Sequence, residues 1–428
     1  MTWERQPIGD LLLDLPNKKV VQQGWSPKCH THPATQDNWG VLKTTAIQAG
    51  RFLPEHNKEL PDTLEPRSNI EVEVGDLLLT CAGPRARCGI PALVRATPTR
   101  LMMSGKMYRL RPDERLDARF LELYLLSDEA QKRIDEMKTG ISDSGLNLTH
   151  GRFVQLPVPV PPLEEQLRIV AILEDHLSRL DAADKYMTAA NRRARSWASA
   201  SIEAVLWRDS PSMKKVGDLL REKMRNGRSD RAVQGRETGT RTLTLTAVTR
   251  NSFTDRFTKE TLTTSAVAEG LWLEPGDIFV QRANAPELVG TAARYAGPAY
   301  WAIFPDLLIR LRPDETRVVG RYLVAALRTE RVHRTLRARA KGLSGSMPKI
   351  DQRAVADTLV PCPDLAAQMR AVNEIAEIEA SFSGLQQQLQ RQQRRSTALR
   401  RSLLAAAFSG RLTGSSPVMS EAPEMIGA

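Results

Sequence analysis

Arg109-Leu-Arg-Pro-Asp-Glu114 decides the architecture, because the same six residues stand again at Arg310-Leu-Arg-Pro-Asp-Glu315, 201 positions later. A repeat of this kind fixes the plan of a chain before any single motif does. Other pieces share the offset. Gly75-Asp76, between an alternating run and an apolar one (VEVGDLLL), reappears 201 positions on as Gly276-Asp277 in LEPGDIFV. Thr139-Gly140-Ile-Ser-Asp-Ser144 matches Lys341-Gly342-Leu-Ser-Gly-Ser346 at 202, and VPVPPLEEQ ending at Gln166 matches VPCPDLAAQ ending at Gln368, also at 202. Near the start, Ile8-Gly9-Asp10-Leu11-Leu12 matches Val216-Gly217-Asp218-Leu219-Leu220 at 208, a difference that an early loop absorbs. Two copies are too few and too long for a solenoid, so the chain reads as two similar globules in tandem.

Each copy mixes short strand-like runs (LLLTCAG, IPALVRA, LWLEPGDIFVQ) with Gly, Pro and Asn punctuation, then carries one helical stretch, RFLELYLLSDEAQKRIDEMK or RYLVAALRTERVHRTLRARA. That is an α+β globule. Each then ends in a proline-bearing extended stretch and a long segment of helical periodicity. The expected divisions are residues 1–162 and 211–362 for the globules, 163–208 and 364–409 for the long helices, and 413–428 for a flexible tail.

In the first long segment apolar residues recur at Leu167, Val170, Leu173, Leu177, Leu180 and Met187; in the second at Met369, Val372, Ile375, Phe382, Leu389, Leu399 and Leu403. Spacings of 3 and 4 form a coiled-coil seam. Pro161, Pro162, Pro361 and Pro363 stand only at the helix starts, where the ring costs least. An apolar stripe on a helix this long needs a partner, and two equivalent seams in a duplicated chain are the simplest pair. Packed antiparallel, they would relate the globules by a pseudo-twofold axis.

The 428 residues carry 61 Lys and Arg against 50 Asp and Glu, a formal charge of +11. A pI near 9.7 points to a polyanionic partner. The excess is local: residues 1–162 hold 21 basic against 20 acidic side chains, residues 211–362 hold 26 against 16. A mean hydropathy of −0.36 and the lack of a long apolar run argue against a membrane protein. No secretory signal opens the chain, and four cysteines, Cys29, Cys81, Cys88 and Cys362, make no disulfide framework, so a cytoplasmic setting is expected.

Candidate DNA contacts follow from the charge. Arg328, Arg331, Arg334, Arg337, Arg339 and Lys341 lie along the helical stretch of the second copy, with Glu330 the only acid among them. Their spacing keeps four arginines on one stripe suited to phosphates. Lys132, Arg133 and Lys138 take the equivalent places in the first copy, mixed with Asp135 and Glu136. The loops after the Gly-Asp strands offer Arg85 and Arg87 in one copy and Gln281, Arg282 and Asn284 in the other. Arginine can pair with guanine and Asn or Gln with adenine in the major groove, although ordinary exposed turns would look the same.

The pattern resembles the specificity subunits of type I restriction-modification systems. The resemblance rests on the duplicated plan, on Leu156-Pro-Val-Pro-Val-Pro-Pro-Leu-Glu-Glu-Gln166 leading into the first long helix, and on Leu399-Arg-Arg-Ser-Leu-Leu-Ala-Ala-Ala-Phe-Ser-Gly-Arg-Leu412 closing the second. It covers the chain from about Ile8 to Leu412 and departs from the family pattern at Cys362 and Asp364. It implies two target recognition domains, each reading half of a split, asymmetric site on double-stranded DNA. It also implies helices that dock two adenine-N6 methyltransferase subunits, and a complex that recruits ATP-dependent restriction subunits. S-adenosylmethionine, ATP and Mg would then belong to the partners, and the chain itself would hold no cofactor and catalyse nothing.

The sequence lacks the Asn/Asp-Pro-Pro-aromatic motif of a base-flipping methyltransferase and the GxxxxGK[ST] loop of a translocase. Pro112-Asp113 with Glu136-Met137-Lys138 resembles the acids of a restriction nuclease, but the second copy has Arg337-Ala338-Arg339 there. Cys29, His30 and His32, with Cys81 and Cys88, match no standard zinc spacing. Two other readings remain open: a self-contained nuclease using Asp113, Glu136 and Lys138, and a coiled-coil scaffold that does not touch DNA.

Overall fold

The computed structural model describes residues 3–14, 20–209, 211–233, 239–342 and 347–413. The expected tail therefore lies outside the described residues from 414 onward, as do four residues of the repeat around Ser346. The chain divides into two compact units, Met1–Met187 with Arg391–Ala428, and Thr188–Gln390.

Both units are built on one antiparallel sheet plan. In the first, β1 (Leu77–Thr80) lies between β2 (Pro91–Leu93) and β3 (Met107–Leu110), and helices α1 (Ala118–Leu125), α2 (Asp128–Met137) and the long α3 (Leu163–Leu206) follow. In the second, β4 (Ile278–Gln281) lies between β5 (Ala292–Arg294) and β6 (Leu308–Leu311), followed by α4 (Gly320–Arg328), α5 (Glu330–Ala338) and the long α6 (Leu365–Phe408). A two-residue strand, Gln22–Gln23 or Arg225–Asn226, closes the far edge of each. The registers also agree: Leu77 faces Leu93 and Leu110, and Ile278, 201 positions on, faces Arg294 and Leu311. The four residues of β1 and of β4 are all buried, as expected of a central strand covered on both faces.

The repeated motifs meet in space. Leu12 bridges to Pro112 and Leu220 to Pro313, so the Gly-Asp-Leu-Leu segment of each copy pairs with its Arg-Leu-Arg-Pro segment. Asp76, 2% exposed, takes Arg109 Nε at 2.9 Å and Arg111 Nε at 3.0 Å, and its Oδ2 accepts the Glu73 amide at 2.9 Å. Asp277 accepts Arg312 Nε at 2.7 Å and the Glu274 amide at 2.9 Å, beside the buried Arg310. The hexamer is thus the cationic half of a buried ion network, and the Gly-Asp turn is its anionic half. Such a network is conditional on every partner, because a lone buried charge is costly.

Gln166 and Gln368 hold each long helix to its globule. Gln166 Oε1 accepts the Asp117 amide at 2.8 Å while Nε2 donates to the carbonyls of Arg115 at 2.8 Å and Pro161 at 2.9 Å. Gln368 repeats this with the Val319 amide at 2.8 Å and the Pro363 carbonyl at 2.8 Å. The departure at Asp364 is an N-cap: its Oδ1 accepts the Ala367 amide at 2.7 Å, satisfying a donor that the helix start leaves open.

Three expectations are corrected. The helical stretch of each copy is two helices, broken at Ser127 and Thr329. Ser127 Oγ accepts the Ala130 amide at 3.2 Å, starting a new helix with Asp128 and Glu129 in its first turn. Thr329 turns its hydroxyl back to the Ala326 carbonyl at 2.7 Å. Arg328 consequently ends α4 and does not share a helix with Arg331. Along the seam, Leu167, Met369 and Leu399 are 42%, 49% and 46% exposed. Val170, Leu173, Val372 and Ile375 of the expected seam are buried, and Gln166, Ile169, Gln368 and Ala371 are buried beside them. The contact stripe keeps those four seam positions and adds neighbours of the same turns, because it serves the globule as well as the other helix. Third, Lys138 and Gln281 are inside, as described below.

Within each unit the long helices pack together and run antiparallel. In the first, Arg400 on α6 reaches Asp181 at 2.7 Å and Asp184 at 2.8 Å on α3, while Leu404, Ala407 and Phe408 join the core around Leu173 and Phe120. In the second, Arg208 forks onto Glu374 at 2.8 and 3.0 Å, and Ile202, Val205 and Leu206 pack with Val372 and Ile375.

Candidate nucleic-acid interface

The strongest basic surface is on α5. Val332 and Leu336 anchor this helix in the core, which turns Arg331, Arg334 and Arg339 to solvent. Glu330 is less isolated than its scarcity in the sequence suggests: it pairs with Arg334 at 3.6 Å and with Arg337. One carboxylate against three arginines still leaves the helix cationic. Arg331 stacks over the Trp207 ring at 5.2 Å, and Arg339 donates to the Ala354 carbonyl at 3.0 Å. Burial holds His333, bonded through Nε2 to the Val289 carbonyl at 2.8 Å, below its usual range, so it adds no charge near neutrality. Lys341 is exposed, its backbone bridged to Lys349.

The equivalent surface of the first unit is largely neutralised. Arg85 is held by Asp135 at 2.7 Å and Asp143 at 3.0 Å. Arg133 pairs with Glu129 at 3.4 Å, leaving Lys132 exposed beside it. Arg87 folds inward, donating to the carbonyls of Thr44 at 2.7 Å and Ile47 at 3.1 Å. Lys138 has a side chain only 4% exposed, spent on Asp135 at 2.9 Å and the Arg85 carbonyl at 3.0 Å. It has no free charge to offer a duplex, and Lys138 leaves the set of candidate contacts.

The loop after β4 changes similarly. Gln281 is fully buried and bonded to the Leu245 carbonyl at 3.0 Å and Thr249 Oγ1 at 2.7 Å, so it organises the loop from within. Asn284 donates to Gln281 Oε1 at 2.7 Å, and its own oxygen accepts the Ala285 amide. Arg282 is half-buried beside them.

The nuclease and zinc patterns lead elsewhere. Asp113 is gripped by Arg115 at 2.6 Å, which holds its carboxyl below the usual range. Cys81 and Cys88 are buried, and burial pushes the Cys81 thiol up to about 12, leaving it protonated. His30 and His32 stack at 5.1 Å. Among the described residues no group of three or more His, Cys, Asp or Glu side chains is placed to hold an ion. No described helix is long and apolar enough to cross a membrane.

Residues 33–185 match the family model described as Type I restriction modification DNA specificity domain. The chain is 32% identical over 206 residues to the type I restriction enzyme EcoEI specificity subunit of Escherichia coli. It is 22% identical over 392 residues to the StySPI specificity subunit of Salmonella potsdam, covering 87% of this chain and 82% of that one. The chain is similar to type I restriction-modification specificity subunits. A solved chain from a study of assembly and conformational transition in a type I restriction-modification system shares the fold, with a TM-score of 0.70 at 18% identity over 96% of this chain and 98% of that one. The EcoEI match spans 48% of this chain and about a third, 34%, of that relative's length.

Proposed function

We propose that this chain is the DNA specificity subunit of a type I restriction-modification complex and reads a bipartite, asymmetric site on double-stranded DNA, one globule per half-site. One observation carries the reading: the two globules share a buried framework but differ in surface chemistry. The Asp76 and Asp277 networks and the Gln166 and Gln368 clamps are equivalent, whereas the surface of α5 is cationic and that of α2 is mostly ion-paired. A common scaffold with unlike surfaces suits two unlike half-sites. Phosphate contacts from Arg331 and Arg334 would supply sequence-independent affinity, and the loops near Arg282 and Asn284 would add base contacts. The long helices are the surface on which two adenine-N6 methyltransferase subunits dock. ATP-dependent restriction subunits complete the complex, and S-adenosylmethionine, ATP and Mg serve those partners.

The test is selection from a randomised duplex library by the full chain with its methyltransferase subunit at physiological salt. Enrichment of two different short motifs at a fixed separation supports the reading. Retention of all sequences alike, or of none, refutes it.

A further inference from the structure

Within the second unit, a cavity of about 400 Å³ opens between α4, the edge of β5 and the two long helices. Four arginines line it: Arg195 from α3, Arg294 from β5, and Arg321 and Arg328 from α4, together with Glu379 and Phe382 of α6. Among the described residues none of the four is paired with a carboxylate, whereas Arg221, Arg317 and Arg337 of the same unit are. Arg294 Nε is buried and has no hydrogen-bond partner. Four cations against Glu379 leave the lining at +3, so the cavity lacks a counter-charge.

The first copy shows what a self-sufficient version looks like. By the repeat offset, Leu93 stands where Arg294 does, Leu126 where Arg328 does, and Glu122 where Val324 does. Glu122 is 2% exposed and supplies its own carboxylate, to Arg95 at 2.8 Å and to the Leu93 amide at 2.6 Å. The second copy has exchanged that internal acid for Val324 and added arginines at two flanking positions.

We infer that this cavity is an anion site for a phosphate-bearing ligand carrying several negative charges. A single carboxylate would leave most of the charge unmet, whereas a di- or triphosphate presents enough oxygens for several guanidinium forks at once. The cavity size falls within the range of small-molecule sites, and Phe382, Ile375 and Val324 give it an apolar wall. The phosphate comes either from a free polyphosphate compound or from a nucleic-acid backbone.

Isothermal titration of the full chain with inorganic tripolyphosphate, at ionic strength matched with KCl, tests the site. Saturable one-to-one binding is expected. Arg294→Gln and Arg321→Gln each weaken it at least about tenfold, the cost of one charge-assisted contact. Val324→Glu, which restores the first copy's acid, abolishes it, while Arg353→Gln, on an exposed arginine outside the cavity, leaves it unchanged. Absence of binding by the wild-type chain, or equal weakening by all four variants, overturns the inference. Two further arms assign the source. A short duplex that displaces tripolyphosphate, and binds less tightly to Arg321→Gln, identifies the backbone; simultaneous binding of both identifies a free polyphosphate compound.

Discussion

Replacing Gln166 or Gln368 by Leu should weaken the two globules by similar amounts, because the two side chains do the same work. Gln166 is fully buried, accepts one amide and donates to two carbonyls at 2.8 to 2.9 Å. Leucine fills the volume but leaves the Asp117 amide and two carbonyls without this partner. Each lost bond to a carbonyl is worth about 1 kcal/mol net and the orphaned amide costs about 1–3 kcal/mol, so the change totals about 3–5 kcal/mol. At about 1.4 kcal/mol per decade this is a rise in local opening of about two to three and a half decades. Gln368 makes the matching bonds to Val319 and Pro363, so the same magnitude is expected. Hydrogen exchange on the full chain reads the two sites separately: Gln166→Leu deprotects 117–121 and Gln368→Leu deprotects 319–323. A change below about fivefold at either site, or a large effect at only one, would refute the equivalence of the clamps.

Further outcomes follow from other contacts. Lys138→Met should destabilise the first globule by about 1–2 kcal/mol, since a largely buried charge-assisted contact is lost, without changing DNA affinity. Lys138, and after it Arg85, hold the Asp135 carboxyl below its usual range; their contribution is present above about pH 4 and is lost as pH falls through the depressed value. Acid melts should therefore erode the wild type more steeply than Lys138→Met. Arg334→Gln, at a side chain 74% exposed, should weaken binding to all duplexes alike and reduce the salt slope by about 1, measured by anisotropy across a KCl series. An unchanged slope would remove Arg334 from the phosphate contacts. Phe408 sits edge-on to Phe120 and Tyr124, each at 5.3 Å; Phe408→Ala should cost the first unit about 3–5 kcal/mol, read as a lower urea midpoint.

The repeat made the fold legible. Strands Leu77–Thr80 and Ile278–Gln281 keep one register under the 201-residue shift, and the long helices start where the prolines end. The break between α1 and α2 was also written in the sequence, as Ser127 followed by two acids, a capping signal that a continuous apolar spacing obscures. The seam was only partly legible, because periodicity identifies a face without saying that its first turns serve a globule. Burial of Lys138 and Gln281 was not legible at all. Their partners, Asp135, the Arg85 carbonyl and Thr249, are assembled by loops and helices whose placement no local pattern encodes. The grouping of the cavity's arginines was illegible for a related reason: they lie on three elements far apart in the chain and form a group only in three dimensions.

The central claim, two unlike half-sites read by two like globules, is tested most directly by long-read methylation profiling of a host expressing this chain with its methyltransferase subunit. The account predicts adenine methylation at a split motif whose two halves differ in sequence and stand a fixed distance apart. Methylation at a single continuous motif, or at a palindrome with identical halves, would contradict it.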